Sequence, residues 1–167
     1  IEDVRKNIID MLSYEKVYKQ GFNINTPINL ELQKFATISL RDGLISYDRR
    51  KGWRGPIINK KNKKNWYHGL DNYELEKSIN WKLAIVRKIN KFSVAIETRD
   101  KENGVIDYND ISWTKKEFNE LFKIGDVIYV KAKNDNKYSL KQIPKINGGI
   151  VVLDPYTGRV LALSGGF

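Results

Sequence analysis

Cysteine is absent from the 167 residues, and with it go disulfides, thiolate nucleophiles and Cys-based zinc sites. Histidine occurs once, at His68. A Ser–His–Asp site would have to use this residue, and no Gly-x-Ser-x-Gly elbow exists to partner it. With one histidine, metal chemistry would fall to carboxylates, and the closest set, Asp100, Glu102 and Asp107, brackets an acid-rich turn. No Walker loop or dinucleotide fingerprint is present. No apolar run approaches the roughly 20 residues that span a bilayer, and no signal-peptide pattern opens the chain. Targeting information is therefore expected outside this stretch. These absences leave no catalytic residue, no metal ligand and no cofactor site to assign.

What is present is a globular composition, 41% hydrophobic and 30% charged, with a formal net charge of +10. That charge invites a nucleic-acid reading. Yet 22 of the basic residues are lysine and 8 arginine, alongside 16 asparagines and 20 isoleucines, the set that AT-rich codons produce. A phosphate reader would favour the bidentate fork of arginine. The densest basic cluster is Lys60, Lys61, Lys63 and Lys64, a candidate contact for a polyanion such as cell-wall polymer or an anionic membrane surface.

Hydrophobic spacing predicts helices at both ends of the first 46 residues. Val4, Ile8, Met11 and Leu12 recur at helical intervals up to Gly21. The stretch "LELQKFATISL" has Asn29 as its N-cap and a stripe of Leu32, Phe35, Ala36 and Leu40. From Arg49 to Lys64 there are eight Lys/Arg and no acid, broken by Gly52, Gly55 and Pro56, an irregular connection. The period then changes. Strands are predicted at Trp81–Ile89, from Phe92 to Ile96, over Val105–Trp113, Val127–Ala132 and Tyr138–Ile143. A short helix precedes the fourth, with a capping box of Thr114 and Glu117 and a buried face of Phe118, Leu121 and Phe122. Three strands, a helix and two strands is the order of a five-stranded OB-like Greek-key barrel. The fold class is mainly β with α: this barrel, flanked by N-terminal helices and a C-terminal hairpin. That hairpin, Ile150–Leu153 and Val160–Ser164 around "DPYTG", is set off by Pro144 and Gly148-Gly149 and belongs to a different sheet. Its unpaired edges are expected to seek another chain.

Two Ser-x-x-Lys tetrads, Ser13–Lys16 and Ser112–Lys115, and Ser78-x-Asn80 use the vocabulary of serine acyltransferases. About one such tetrad is expected by chance, and no Lys-Thr-Gly accompanies them, so they are rejected as nucleophiles. An OB barrel can also bind single strands through outward aromatics on its second and third strands. With Phe92, Val94 and Ile96 inward, the outward residues are Ser93, Ala95, Glu97 and Arg99, which make no stacking platform. A stand-alone OB-fold nucleic-acid binder remains the alternative reading.

Three strings, "INTPINLELQKFA", "YDRRKGWRGP" and "NGGIVVLDPYTGRVLALSGGF", together resemble class A penicillin-binding proteins of the 1A type of Gram-negative bacteria. The resemblance runs collinearly over residues 22–167, with Asn29 where aspartate is usual and Pro27 where threonine is. It implies three parts: linker helix and first transpeptidase elements at 1–46, an OB-like inserted domain at 47–145, and the first transpeptidase hairpin at 146–167. It further implies a parent that polymerises and cross-links peptidoglycan by glycosyltransferase and serine DD-transpeptidase activities. The membrane anchor and glycosyltransferase would precede Ile1, and the catalytic serine and β-lactam site would follow Phe167. The parent would sit at the periplasmic face of the inner membrane. The barrel would then be a spacer or a contact for a periplasmic protein or glycan, with no nucleic acid expected. Within "YDRRKGWRGP", Asp48, Arg49, Gly52, Trp53, Arg54, Gly55 and Pro56 are expected to anchor the insertion. In that reading Arg49 and Arg54 pair with carboxylates, Trp53 packs and the glycines turn the chain.

Overall fold

The computed structural model describes residues 2–60, 64–76, 78–134 and 136–167. The N-terminal helix is broken into two, α1 (Glu2–Leu12) and α2 (Tyr14–Lys19). The break is Ser13, whose φ of 70° lies in the left-handed region that a helix cannot pass through. The expected apolar face is not buried there, and Met11 is 80% exposed.

Helix α3 (Leu30–Arg49) begins as expected, with Asn29 Oδ1 accepting from the N–H groups of Glu31 and Leu32 at 3.0 Å each. It runs two turns past Leu40, because Leu40, Leu44 and Asp48 continue one face at i, i+4 spacing. That face buries Ala36, Leu44 and Asp48, whereas Phe35, expected on the stripe, is 55% exposed.

The barrel strands are β2 (Lys82–Ile89), β3 (Ser93–Thr98), β4 (Asn103–Asp107), β5 (Asp126–Ala132) and β6 (Tyr138–Lys141), preceded by a two-residue strand β1 (Ile58–Asn59) on the edge of β5. Antiparallel pairs join β2 to β3, β3 to β4, β2 to β5 and β5 to β6. A parallel bridge, Val105 to Lys137, brings β4 to the start of β6. The circuit β2-β3-β4-β6-β5-β2 is thereby closed in OB order. The third strand is shorter than expected. Its last rung is Asp107 opposite Ser93, where β3 begins, and the chain continues as two 3₁₀ turns, Tyr108–Asp110 and Ser112–Thr114.

Helix α4 (Phe118–Leu121) buries Phe118 and Leu121, with Phe122 beside them, as the sequence suggests. The capping box does not form. Lys115, at φ 56°, turns the chain between Thr114 and the helix, and Thr114 Oγ1 bonds back to Ile111 O at 2.7 Å. Phe92 also departs from expectation: it lies ahead of β3 at 72% exposure, with Lys91 Nζ 5.2 Å over its ring.

Two apolar clusters flank the sheet. Ala84, Val86, Val94, Ile96, Ile106, Ile128, Val130 and Leu140 fill the barrel with the α4 side chains. Leu83, Ile85, Val127 and Tyr129 point the other way and pack under Trp66 and Leu70 of the connection leading to β2. This is why β2 is buried on both faces over Leu83–Val86. Tyr129 Oη donates to Tyr73 O at 2.7 Å, fastening that connection. Burial, reinforced by the neighbouring Tyr73, pushes the Tyr129 phenol up to about 12.

The closing hairpin, β7 (Gly149–Leu153) and β8 (Val160–Gly165), forms its own sheet. Its β8 edge is not bare. The Gln33 side chain donates from Nε2 to Leu163 O at 2.9 Å and accepts from Leu163 N at 3.0 Å, while Asn29 N donates to Leu161 O at 2.8 Å. A helix side chain thus stands in for a neighbouring strand.

Candidate functional site

Helix, connection and exit from the barrel converge on one carboxylate. Asp48, in the last turn of α3, is 3% exposed. Gly52 and Gly55 take φ of 85° and 100°, conformations open to glycine, and the chain doubles back so that Arg54 faces the helix end. Arg54 Nη1 donates to both Asp48 oxygens at 2.8 and 2.9 Å, and Nη2 donates to Ile143 O at 2.5 Å. Gln142 Nε2 donates to Asp48 Oδ2 at 2.8 Å and to Gly52 O at 3.1 Å, and its Oε1 accepts from Arg54 N at 2.9 Å. Lys145 N completes the set on Asp48 Oδ1 at 3.1 Å. Burial pushes the Asp48 carboxyl up, but these hydrogen bonds and the charge of Arg54 outweigh it and hold it below its ordinary value. A buried charge is tolerable here because it is both paired and hydrogen-bonded.

The other residues of "YDRRKGWRGP" divide between this clasp and the core. Trp53 packs edge-on to Trp113 and Phe122, at centroid distances of 6.1 and 6.3 Å. Pro56 leads into Ile57, whose N–H donates to Val127 O at 2.9 Å. Arg49 does not find the carboxylate expected of it. Its guanidinium lies 5.2 Å over the Trp113 ring, where burial disfavours its charge and Asp110 partly offsets that cost.

Of the basic cluster at 60–64, Lys61 and Lys63 lie outside the described residues. Lys60 is held by its backbone to Gly125 O at 2.9 Å and by Nζ to His68 O at 3.1 Å. His68 stacks on Tyr67 at 5.0 Å. Ser112 Oγ donates to Asn109 O at 3.0 Å, within a 3₁₀ turn. Asp100 and Glu102 both reach Lys82 Nζ, at 3.1 and 2.8 Å. Among the described residues no group of three His, Cys, Asp or Glu side chains could hold a metal ion.

The outer face of β3 carries an ion pair. Arg87 donates to both Glu97 oxygens at 3.1 and 2.7 Å, and Trp66 Nε1 approaches Glu97 at 3.4 Å. Arg87, ahead of the opposing effect of burial, keeps the Glu97 carboxyl below its usual range. The basic groups that sequence reasoning missed lie elsewhere, where α3 crosses the barrel. Arg41 and Arg49 from the helix, Lys131 from β5 and Lys141 from β6 line one cleft of about 490 Å³. Strand alternation could have grouped two of them, since register sets Lys131 opposite Ser139 and Lys141 opposite Tyr129, all on one face. Only the packing of α3 adds the arginines.

The fold is thus an OB-like barrel, clasped at its entry and exit to a helix and followed by a separate hairpin. Residues 53–146 match the family described as penicillin-binding protein OB-like domain. Penicillin-binding protein 1A of Rickettsia typhi is 38% identical over 98% of this chain and 21% of its own length. The Pseudomonas aeruginosa protein of the same name is 28% identical over 91% of this chain and 20% of its own. The crystal structure of penicillin-binding protein 1A from Haemophilus influenzae superposes with a TM-score of 0.76 at 28% identity, covering 99% of this chain and 25% of that one. The chain belongs to the penicillin-binding proteins, in their class A, 1A type. It spans about a fifth of the length of the curated relatives it matches.

Proposed function

We propose that this chain is the OB-like, non-catalytic segment of a peptidoglycan synthase that combines glycosyltransferase and serine DD-transpeptidase activities at the periplasmic face of the inner membrane. In this reading the segment sets the position of the barrel against its neighbours and carries a contact surface for a periplasmic protein or glycan. The observation that carries it is the Asp48 clasp. One carboxylate ties the helix end, the way into the barrel and the way out of it, so the barrel moves with α3 and the hairpin docked on it. Such a fixed geometry suits a domain that must hold orientation between catalytic units.

The test uses the native protein. Antibody raised to this segment should recognise a membrane band, several times larger than this chain, that a fluorescent penicillin tags covalently. An untagged soluble band of about this size would overturn the reading.

A further inference from the structure

The cleft between α3 and the barrel gathers positive charge from three elements. Arg49, Lys131 and Lys141 come from three different elements, and among the described residues none of the three forms an ion pair with a carboxylate. Arg41, at the rim, reaches Glu76 at 3.8 Å. Among the described residues, Asp42 is the one acidic side chain lining the cleft. Asp110, which faces Arg49, is already engaged by Lys133 at 3.0 Å. Bringing like charges into a half-buried space costs energy, which the ring contacts of Arg49 with Trp113 and of Lys141 with Trp81 offset only in part. Trp81 and Phe167, with ring centroids 5.4 Å apart, give the same cleft an aromatic wall, and Lys141 Nζ lies 5.9 Å from the Trp81 ring centroid.

We infer that this cleft is a binding site for an oxyanion, a carboxylate or phosphate group carried on a ligand whose apolar or ring portion rests against Trp81. Arg49 and Lys141 hold the anion from opposite walls, Lys131 adds charge from the sheet, and Trp81 selects for a ligand with a flat or apolar body. Burial first, then the charges of Arg49 and Lys131, lower the Lys141 amine to about 8, with Asp110 and Asp42 opposing. Lys141 therefore loses its proton just above neutral pH in the free protein, and a bound anion draws it back to the charged form.

The experiment titrates the whole chain with inorganic phosphate and, separately, with citrate, following tryptophan fluorescence and calorimetry. Both anions should bind saturably, phosphate more tightly if the natural group is a phosphoryl and citrate more tightly if it is a carboxylate. R49Q and K141Q should each weaken binding at least about fivefold, while K88Q, at an exposed position of β2 that does not line the cleft, leaves it unchanged. Read with citrate, which is fully ionised over this range, affinity in the parent should fall as pH rises from about 7.5 to about 9, and K141R, which keeps its charge, should bind as the parent does at the lower pH and hold that affinity at the higher. This last comparison does not depend on a variant's stability. No saturable binding, equal loss in K88Q, or an unchanged pH profile in K141R would overturn the site.

Discussion

At the scale of single residues, the arrangement turns on Asp48. Its four accepted hydrogen bonds come from Arg54, Gln142 and the Lys145 backbone, so truncation strands several buried donors at once. Asp48→Ala should cost about 3 kcal/mol, read from urea denaturation at neutral pH. The pH dependence follows from a carboxyl held below its ordinary value in the folded state. Its contribution is complete above that ordinary value and is lost as pH falls through the lower, folded one. The gap between parent and D48N should therefore be widest near neutrality and narrow below about pH 4. A gap independent of pH would mean that shape, not charge, is what the clasp requires. The motif "YDRRKGWRGP" led one to expect Arg54 to pair with a carboxylate in an anchor, and the fold identifies that carboxylate as Asp48. Gln142 and Lys145 were invisible in the sequence, since nothing in a string reveals which residues 94 and 97 positions away return to the same point.

Among the elements, the place where the barrel closes is its tightest packing. Gly104, the second residue of β4, faces the start of β6, and a Cβ there would lie 2.3 Å from the Tyr138 ring, itself buried. That ring is fixed further by its hydroxyl, which donates to Glu102 at 3.0 Å. Gly104→Ala must displace the ring or part the strands, so a loss of about 2 kcal/mol is expected in thermal or urea unfolding. Little change would show that the bridge between Val105 and Lys137 closes the barrel loosely. Asn103-Gly104 is a dipeptide typical of tight turns. The glycine is instead a strand residue whose lack of a side chain admits an aromatic ring from another strand. Helix α3 went the other way. Its cap and first turns were legible, but its length was hidden by Gly43 and by a buried face that ends on a charged residue.

On the scale of the whole molecule, both apolar clusters draw their residues from Trp53 to Ile143. Residues 47–146 alone should therefore unfold in a single cooperative transition, with a urea midpoint near that of the barrel in the full chain. A piece from 53 to 146 retains both clusters and loses Asp48, so it should unfold cooperatively at a lower midpoint. Failure of the longer piece to show a transition would mean that α3 and the hairpin are part of one folding unit.

The order of strands, the turn chemistry and the apolar alternation were written in the sequence, because each depends on neighbours within a few positions. They determined an OB-like barrel between a helix and a hairpin, and the three diagnostic strings determined the family. Tertiary structure alone decided where the charge sits. The sequence pointed to a run of lysines at 60–64, where charge is dense along the chain. The fold gathers Arg41, Arg49, Lys131 and Lys141 from positions up to 100 residues apart into one cleft. Electrostatics acts through distance in space, and only the crossing of α3 over the sheet sets those distances.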